Sequence, residues 1–366
     1  MNKIYILSAA RTPVAVMDGN LRDYNDSKLC VAAMKHAIEL SGADAMDISE
    51  VIIGEAKQTS RPSNIARYAM LDARLPDKVP AYTVQRQSAS GLQAVVNGVW
   101  NIKSGMADLI LAGGCESMTH IPREIHNARN SFNESTRILF DPISAQVEGA
   151  QPWKLSPADI CAAIAEKFGV TPAEAEEYAA ASFAKAQQRS VADHICKLQV
   201  RKGKVFEAVE ADQLYSKPET VSKPADAAAM LMMASEAALA GRAPIAEILS
   251  VAIGAGSPAT GSADAGAGAA LKALGKAGIG LDDVSRIEIV EISSAQVLAT
   301  IRSLGLEASD NRINAAGGGL ATGSPWGASG AVHLTDLVHS LGSEEHGIVI
   351  NPAEGGQVLC IVVKRI

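Results

Sequence analysis

The sequence predicts an α/β protein built from two similar halves, and three observations lead to this fold class. Hydrophobic residues make up 48% of the 366 residues but aromatic residues only 4%, and glycine and alanine are abundant. Such a chain packs its backbones closely in layers. Short apolar runs alternate with segments of helical spacing along most of the chain. The order of elements returns from Met230 onward, which indicates an internal duplication.

The first half begins with a strand and alternates strands with helices. Its apolar runs are nearly continuous, which is typical of strands buried on both faces, so we expect a mostly parallel sheet. Asp26 is the expected cap of the first helix, and Gly42 is its expected end. The predicted strands are residues 4–8, 51–54, 79–85 and 107–112, and the predicted helices are residues 26–42, 62–71 and 92–102.

The middle of the chain differs from both halves. Two helices are predicted there, over residues 157–168 and 172–191. Thr171 is the expected cap of the second helix, because Pro172 follows it at a position that favours the first helical residue. We therefore expect residues 116–226 to be an insertion that lies over the core.

Alternation of strands and helices resumes in the second half. Its last part predicts a β-hairpin, and a strand that starts at Ile313 is expected to lead into a glycine-rich turn. The other predicted strands are residues 245–252 and 284–292, the helices are residues 265–275, 295–304 and 327–341, and the hairpin joins residues 347–350 to 358–363.

Composition excludes several classes of function. The net charge is −7 and no basic cluster is longer than residues 201–204, so nucleic acid is not an expected partner. No apolar run approaches the ~20 residues that cross a membrane, and the strand pattern that starts at Lys3 predicts no signal peptide. The five cysteines are odd in number and form no CxxC pair. Neither a disulfide framework nor a metal site is expected, and a reducing cytoplasm is the expected location.

Six motifs follow one another along the chain: ILSAARTP (6–13), EVIIGE (50–55) with NIAR (64–67), SASGLQA (88–94), AGGCESM (112–118), GGGLATGSPWGASG (317–330) and EGGQ (354–357). Their order and spacing over nearly the whole chain resemble those of the thiolase family, in particular the biosynthetic and degradative acyl-CoA thiolases.

The resemblance implies an architecture and a substrate class. The expected fold is a five-layered α-β-α-β-α sandwich of two duplicated halves with an inserted lid domain. The implied boundaries are residues 1–115 for the N-terminal half, 116–228 for the lid and 229–366 for the C-terminal half. An acyl-CoA or acyl-carrier thioester is the implied substrate, with no tightly bound cofactor, and the implied assembly is a homodimer or homotetramer.

The chain departs from the family at the residues that carry the chemistry. Thiolases transfer an acyl group from a thioester to a cysteine and then join it to the carbanion of a second thioester, with a histidine and a second cysteine moving protons. In this sequence the nucleophile position is Ser88, the histidine position is Ser324, the second cysteine position is Pro352, the first glycine of the following turn is Glu354, and the asparagine and phenylalanine of the NEAF motif are Val290 and Ser293.

Because of these substitutions, we do not expect ordinary thiolase turnover. A serine hydroxyl is far less acidic than a thiol, and a helix dipole contributes only about 0.3–2 kcal/mol to an anion at its N-terminus. Ser88 therefore needs a neighbouring base, and Ser324 cannot accept its proton at neutral pH.

Each candidate catalytic residue has two interpretations. Ser88 is either a nucleophile served by an unfamiliar base or, as we favour, a small residue that preserves a tight turn between a strand and a helix. Glu354 is either a general base at the pocket or a glutamate on a surface turn. Ser324 and Ser293 either donate hydroxyl groups to an oxyanion or fill the places of larger catalytic groups, and we favour the second interpretation.

The glycine-rich turn offers candidate binding residues. Gly318, Gly319 and Gly323, together with Ser293, are predicted to hold a carbonyl oxygen or the arm of coenzyme A, since backbone N–H groups face outward at such turns. Close packing of the fold explains the same glycines equally well. Trp326, on the same turn, is expected to plug the pocket rather than to stack on a ligand.

Two functions from different classes fit these features. The first is a divergent enzyme that performs acyl transfer, Claisen-type chemistry or decarboxylation on thioesters with altered acid and base groups. The second is a catalytically inactive subunit that pairs with an active condensing enzyme of the same fold as a hetero-oligomer.

Overall fold

The structure is a computed structural model that describes residues 3–59, 62–125, 139–143 and 155–366. The helices are α1 (Asp26–Ser41), α2 (Ile65–Asp72), α3 (Ser90–Ser104), α4 (Pro157–Phe168), α5 (Pro172–Ala186), α6 (Gly261–Ala277), α7 (Ser294–Ser303), α8 (Gly319–Thr322) and α9 (Ser329–Ser340). The strands are β1 (Ile4–Arg11), β2 (Ala15–Val16), β3 (Glu50–Gly54), β4 (Ala81–Val84), β5 (Leu109–Ser117), β6 (Leu198–Lys202), β7 (Val205–Val209), β8 (Ala225–Ser235), β9 (Ala246–Ala255), β10 (Val284–Ile289), β11 (His346–Ala353) and β12 (Gln357–Arg365).

The strand order shows the internal duplication directly. The large sheet runs β10-β11-β12-β9-β1-β8-β5-β3-β4. The first half therefore has the order β1-β8-β5-β3-β4, and the second half has the matching order β9-β12-β11-β10. The two halves meet where β1 pairs with β9 through Tyr5–Glu247 and Ile6–Ala246.

Three hydrophobic cores separate the layers. The middle core packs α3 and α9 between the two halves of the sheet and includes Leu92 and Leu334. On the outside, Met34 of α1 belongs to the core over the first half, and Leu274 of α6 to the core over the second half. The order α1/α2, sheet, α3/α9, sheet, α6/α7 confirms the predicted five-layered sandwich. The boundaries proposed at residues 115–116 and 228–229 stay a prediction.

The expectation of a mostly parallel sheet is wrong. In the described part of the chain, only β3–β4, β3–β5 and β10–β11 are parallel pairs. The other ladders are antiparallel, including β5–β8 and β11–β12. Parallel neighbours need a crossover helix, whereas β12 returns through a tight turn and β8 arrives from the inserted segment.

Three local expectations also need correction. No strand starts at Ile313, which forms only a single parallel bridge to Ile287. This bridge lies beside β10, as β4 lies beside β3, so the second half retains one bridge of the corresponding strand. The cap of α1 is Asn25, whose side chain accepts from the Lys28 N–H at 3.1 Å. The helix predicted over residues 172–191 ends at Ala186.

Other elements follow the sequence closely. Helix α4 has the predicted bounds, and α5 begins with Thr171 as its N-cap and Pro172 in its first turn. Gly42 follows α1 in the left-handed region, with φ +60°. None of the described helices combines the length and the apolar character that crossing a membrane requires.

Candidate active site

Ser88 lies on a tight turn between β4 and α3. Gln87 has φ +48°, a conformation that costs roughly 1–3 kcal/mol for residues other than glycine and is concentrated at functional sites. Two hydrogen bonds close the turn: the Arg86 N–H donates to Ser90 Oγ at 2.8 Å, and Ser90 Oγ donates to the Gln87 carbonyl at 2.6 Å. The small side chains of the SASG motif thus allow a fixed turn that carries the Ser88 hydroxyl.

Glu354 lies on the turn that joins β11 to β12. Gly355 and Gly356 follow it with φ +78° and +74°, values that favour glycine. The Gly356 carbonyl accepts a hydrogen bond from the Gly256 N–H at 2.9 Å. Gln357 is fixed to the opposite turn, because Arg86 Nη1 donates to its Oε1 at 2.7 Å.

These two turns bring Ser88 and Glu354 into direct contact. Ser88 Oγ donates to Glu354 Oε1 at 2.7 Å, and the Ser88 N–H donates to Glu354 Oε2 at 3.0 Å. Ser88 is only 3% exposed. A carboxylate at hydrogen-bond distance from a hydroxyl has the position required of a general base. It also lies next to the start of α3, where a negative charge is favourable.

Ser324 and Ser293 lie at the same pocket but make other hydrogen bonds. The hydroxyl groups of Ser324 and Ser329 are 3.0 Å apart. Ser293 Oγ caps α7 by accepting from the Gln296 N–H at 3.2 Å. Both serines are buried. The residue in the position of the family's asparagine, Val290, is an apolar member of the middle core.

A pocket of about 210 Å³ contains all four predicted polar side chains, those of Ser88, Ser293, Ser324 and Glu354. Most of its remaining wall is apolar, and Trp326 forms part of it. Among the described residues that line it, none is a lysine, an arginine or a histidine. Glu354 is therefore the one acidic or basic residue among Asp, Glu, Lys, Arg and His in this described lining. The apolar lining of the pocket includes Ile160, Ile164, Val221, Pro224, Pro258 and Ile292.

The three predicted binding glycines do not line this pocket; they line a neighbouring cavity of about 20 Å³, which shares Ser324 with it. A Cβ on Gly318 would come within 2.7 Å of Glu291 Oε2. The buried Glu291 carboxylate accepts from Tyr178 Oη at 3.0 Å and from Ser182 Oγ at 3.0 Å, both on the lid helix α5. Close packing between the turn and the lid explains Gly318 here. A role of Gly318, Gly319 and Gly323 in ligand binding stays a prediction.

Two buried carboxylates lie beside the Ser88 turn. Glu116 accepts from the N–H groups of Ala56 at 2.8 Å, Lys57 at 3.1 Å and Gly327 at 2.9 Å. Burial, with a smaller contribution from the charge of Asp26, raises the pKa of Glu116 to about 8. Burial and the charge of Glu116 raise the pKa of Glu55 to about 10. Glu55 is thus a neutral acid at neutral pH.

Sequence reasoning missed two parts of the site. One is the α4 face that carries Ile160, Cys161 and Ile164; its spacing of four residues predicts a buried helix face but not the surface that it covers. The other is the hydrogen bond between Arg86 and Gln357, which joins residues 271 positions apart. Burial raises the pKa of the Cys161 thiol.

The described residues contain no group of three or more His, Cys, Asp and Glu side chains arranged to hold a metal ion.

Comparison with known proteins gives one consistent result. The family model described as "Thiolase, N-terminal domain" matches residues 4–230, and "Thiolase, C-terminal domain" matches residues 242–365. The chain is 30% identical over 399 residues to an acetyl-CoA acetyltransferase of Syntrophomonas wolfei, covering 100% of this chain and 99% of that protein. It is 32% identical over 397 residues to a probable acetyl-CoA acyltransferase of Staphylococcus aureus, with both chains fully covered.

Solved structures extend this similarity to the whole fold. The acetyl-CoA acetyltransferase of Bacillus anthracis superimposes with a TM-score of 0.94 and 26% identity, covering 100% of this chain and 99% of that one. A thiolase of Ascaris suum in complex with coenzyme A superimposes with a TM-score of 0.90 and 26% identity, and both chains are covered completely.

Proposed function

Because this chain belongs to the thiolase family, we propose that it is an acyltransferase that processes thioesters of coenzyme A or of an acyl carrier with Ser88 as nucleophile and Glu354 as general base. The names of the relatives support the substrate class, since they are acetyl-CoA acetyltransferases and acyltransferases. The cysteine-free nucleophile turn makes the reaction a variation on the family's chemistry.

The observation that carries the proposal is the 2.7 Å hydrogen bond between Ser88 Oγ and Glu354 Oε1. In the first step the Glu354 carboxylate takes the hydroxyl proton while Ser88 Oγ attacks the thioester carbonyl. The C–S bond then breaks, and the leaving thiolate takes the proton from Glu354. The products are an ester on Ser88, a free thiol and an ionised Glu354.

The second step passes the acyl group to an acceptor. In the Claisen direction, Glu354 takes the α-proton of a second thioester, and the resulting carbanion attacks the Ser88 ester. The C–O bond of the ester breaks, and the proton returns from Glu354 to Ser88 Oγ. One carboxylate thus serves both steps, where the family uses a histidine and a second cysteine.

The mass of the intact protein after incubation with acetyl-CoA tests the first step. We expect an increase equal to one acetyl group on Ser88, no increase in Ser88→Ala, and a loss of at least about 100-fold in the acylation rate of Glu354→Gln, since general-base catalysis contributes 10²–10⁴-fold. Ser262→Ala is the matched control, because Ser262 lines the pocket and has no part in the proposed steps.

No acyl adduct on Ser88 with acetyl- or longer acyl-CoA would contradict the nucleophile assignment. An adduct that forms equally fast in Glu354→Gln would contradict the base assignment. These two outcomes concern different residues and are read from the same spectra.

One observation favours the second candidate, an inactive subunit. Glu354 binds the N–H and the hydroxyl of Ser88 with separate oxygens, an arrangement that also suits a permanent cap on the turn before α3. A thiolase-family gene with an intact Cys/His/Cys set next to this gene would support that function. We would then expect a stable hetero-oligomer by size-exclusion chromatography with light scattering and no adduct on Ser88, whereas a homodimer or homotetramer that acylates itself supports the enzyme.

The proposed location is a reducing cytoplasm. All five cysteines are free thiols, and a reducing compartment keeps them so.

A further inference from the structure

A small cavity lies next to the Ser88 pocket and shares one side chain with it. The cavity has a volume of about 20 Å³, and Ser324 lines both spaces. About 10–15 Å³ is enough to hold one water molecule where two or more polar groups can bind it. Ser329 and His333 line the same cavity, so at least three polar side chains are available. The cavity is therefore suited to a single bound water molecule.

These polar side chains form a series that leads inward from the pocket. The hydroxyl groups of Ser324 and Ser329 are 3.0 Å apart. Ser329 is the first residue of α9, and His333 follows four positions later, a spacing that places both on one face of a helix. His333 Nδ1 lies 2.8 Å from Glu288 Oε2. A water molecule between Ser329 and the imidazole would complete a path of hydrogen bonds from the pocket to Glu288.

The contact with Glu288 decides which ring nitrogen of His333 is available to this path. A carboxylate only accepts hydrogen bonds, so the proton on Nδ1 is directed to Glu288. Nε2 makes no hydrogen bond with any residue that the structure describes. His333 and Glu288 are 8% and 6% exposed, which keeps the pair away from bulk solvent. The imidazole is thus oriented to accept or donate a proton at Nε2.

The other charged groups of the described cavity lining are Glu291, Arg189 and Asp336. Glu291 accepts hydrogen bonds from two hydroxyl groups of the lid helix α5. Arg189 and Asp336 form an ion pair, with Nη1 and Oδ2 3.5 Å apart. Proton exchange at these groups would disrupt existing contacts, whereas exchange at Nε2 of His333 leaves its contact with Glu288 in place.

We propose that His333 is a second acid–base group of the Ser88 pocket, and that it reaches a bound thioester through the cavity water and the two serines. Glu288 orients its ring. The proposal rests on the proposed function for the presence of a thioester in the pocket. It adds a proton source to the chemistry without requiring that His333 touch the substrate.

The relay operates when a thioester loses its α-proton to Glu354 and negative charge develops on the carbonyl oxygen. Ser324 donates its proton to this oxygen and receives one from Ser329. Ser329 receives one from the water molecule, which receives one from Nε2 of protonated His333. Each hydroxyl group and the water lose one proton and gain one, so the net result is an enol in the pocket and a neutral His333. The protons return along the same path when the enol carbon attacks the acyl group.

Exchange of the α-protons of acetyl-CoA with deuterium from D₂O, followed by mass spectrometry, measures this step apart from acyl transfer. Histidine changes charge between about pH 5 and 8, so we expect the exchange rate to fall as the pH rises through this range. In His333→Gln this fall should disappear. The rate at about pH 6 should be at least about tenfold lower, since general acid–base catalysis contributes 10²–10⁴-fold.

His339→Gln is the matched control on the same helix. His339 Nε2 lies 2.8 Å from the Ala9 carbonyl oxygen, and burial lowers the pKa of this histidine to about 4. His339 therefore stays neutral through the range of the test. We expect this variant to keep the pH dependence of the unaltered protein.

Two further variants test the path itself. Ser329→Ala removes the middle hydroxyl group and should lower the exchange rate as His333→Gln does; being the smaller change, it also gives the test if His333→Gln fails to fold. Glu288→Gln keeps the side-chain shape but removes the charge that favours the imidazolium. In this variant the fall in rate should move to lower pH, a shift that a purely structural role of Glu288 would not produce.

The same pH dependence in His333→Gln as in the unaltered protein would overturn the inference, as would a lack of α-proton exchange in the unaltered protein. The failure of the proposed function looks different: exchange would show the fall that depends on His333 while no acyl adduct forms on Ser88.

Discussion

Glu55 combines deep burial with an incomplete set of hydrogen bonds. The residue is 1% exposed, and its Oε2 atom has no hydrogen-bond partner. It follows Gly54, on which a Cβ would lie 2.0 Å from the carbonyl carbon of Ser90, so it belongs to the packing behind the nucleophile turn. A protonated carboxyl group is the form that tolerates such a site.

The raised pKa of Glu55 predicts that stability falls as the pH rises. Its pKa is about 10 in the folded protein, against an ordinary value of 4.5 for glutamate. Below pH 4.5 the Glu55 carboxyl is protonated in both the folded and the unfolded chain, so it does not change the free energy of unfolding. Between pH 4.5 and 10 the unfolded chain releases the proton while the folded chain keeps it, and unfolding becomes progressively easier.

Glu55→Gln tests this expectation, because the variant is neutral at every pH and has nearly the same shape. We expect the melting temperature of the variant, measured by differential scanning calorimetry, to rise relative to that of the unaltered protein as the pH increases from 5 to 8.5. Asp72→Asn, at an exposed position, is the control. A difference in melting temperature that is independent of pH would show that Glu55 is ionised in the folded state.

Motif alignment located Ser88, Ser293, Ser324 and Glu354, and the structure places all four at one pocket. This was accessible from the sequence because each residue lies at an end of an element, where the order of elements fixes the neighbourhood. The hydrogen bond between Ser88 and Glu354 could not be predicted from the sequence, since it joins residues 266 positions apart and depends on the geometry of two glycine turns. Cys161 was missed because periodicity identifies a helix face without identifying what that face covers.

Among the helices, α4 and α5 show how local sequence can fix the residue at which a helix begins. Each begins with a complete capping box: Ser156 with Asp159, and Thr171 with Glu174. In each, the N-cap hydroxyl accepts from the third helical N–H, and the carboxylate of that residue accepts from the N-cap N–H. Outside the predicted hairpin of β11 and β12, chain direction in the sheet lacks such local signals, which is why the general expectation of a mostly parallel sheet was wrong.

Thr171→Ala should lower the stability of the lid helix. Losing an N-cap hydroxyl costs about 1 kcal/mol, which corresponds to a decrease of about 1 °C in melting temperature for a chain of this size. Thr171→Ser keeps the hydroxyl and should change the melting temperature less. Equal decreases in both variants would show that the methyl group, rather than the cap, is what stabilises α5.

At the scale of the molecule, one buried ionic cluster joins both halves to the inserted segment. Arg11 of β1 donates from Nη1 to Asp212 at 2.7 Å and from Nε to Asp336 of α9 at 2.6 Å. Arg189, which follows α5, donates to Asp212 at 2.8 Å. Burial alone would raise the pKa of Asp336, but the charge of Arg11, the hydrogen bond with His194 and the charge of Arg189 hold it well below the usual range.

Arg11→Met is therefore expected to destabilise the protein by about 3–5 kcal/mol, because it leaves two buried carboxylates with fewer partners. The control is Lys3→Met, which removes the exposed ion pair with Glu247 and should change stability little. Urea unfolding followed by circular dichroism measures both. Similar unfolding midpoints for the two variants would contradict a stabilising role of the cluster.

Strand β1 has β8 on one side and β9 on the other, and this position has a consequence during protein synthesis. Strand β1 has no sheet neighbour until residues 225–255, which contain β8 and β9, have been synthesised. At about 5–20 residues per second, this leaves an apolar segment without its partners for about tens of seconds. We therefore expect chaperones, or temporary shielding by the first helices of the chain, to protect β1 before the seam between the two halves can close.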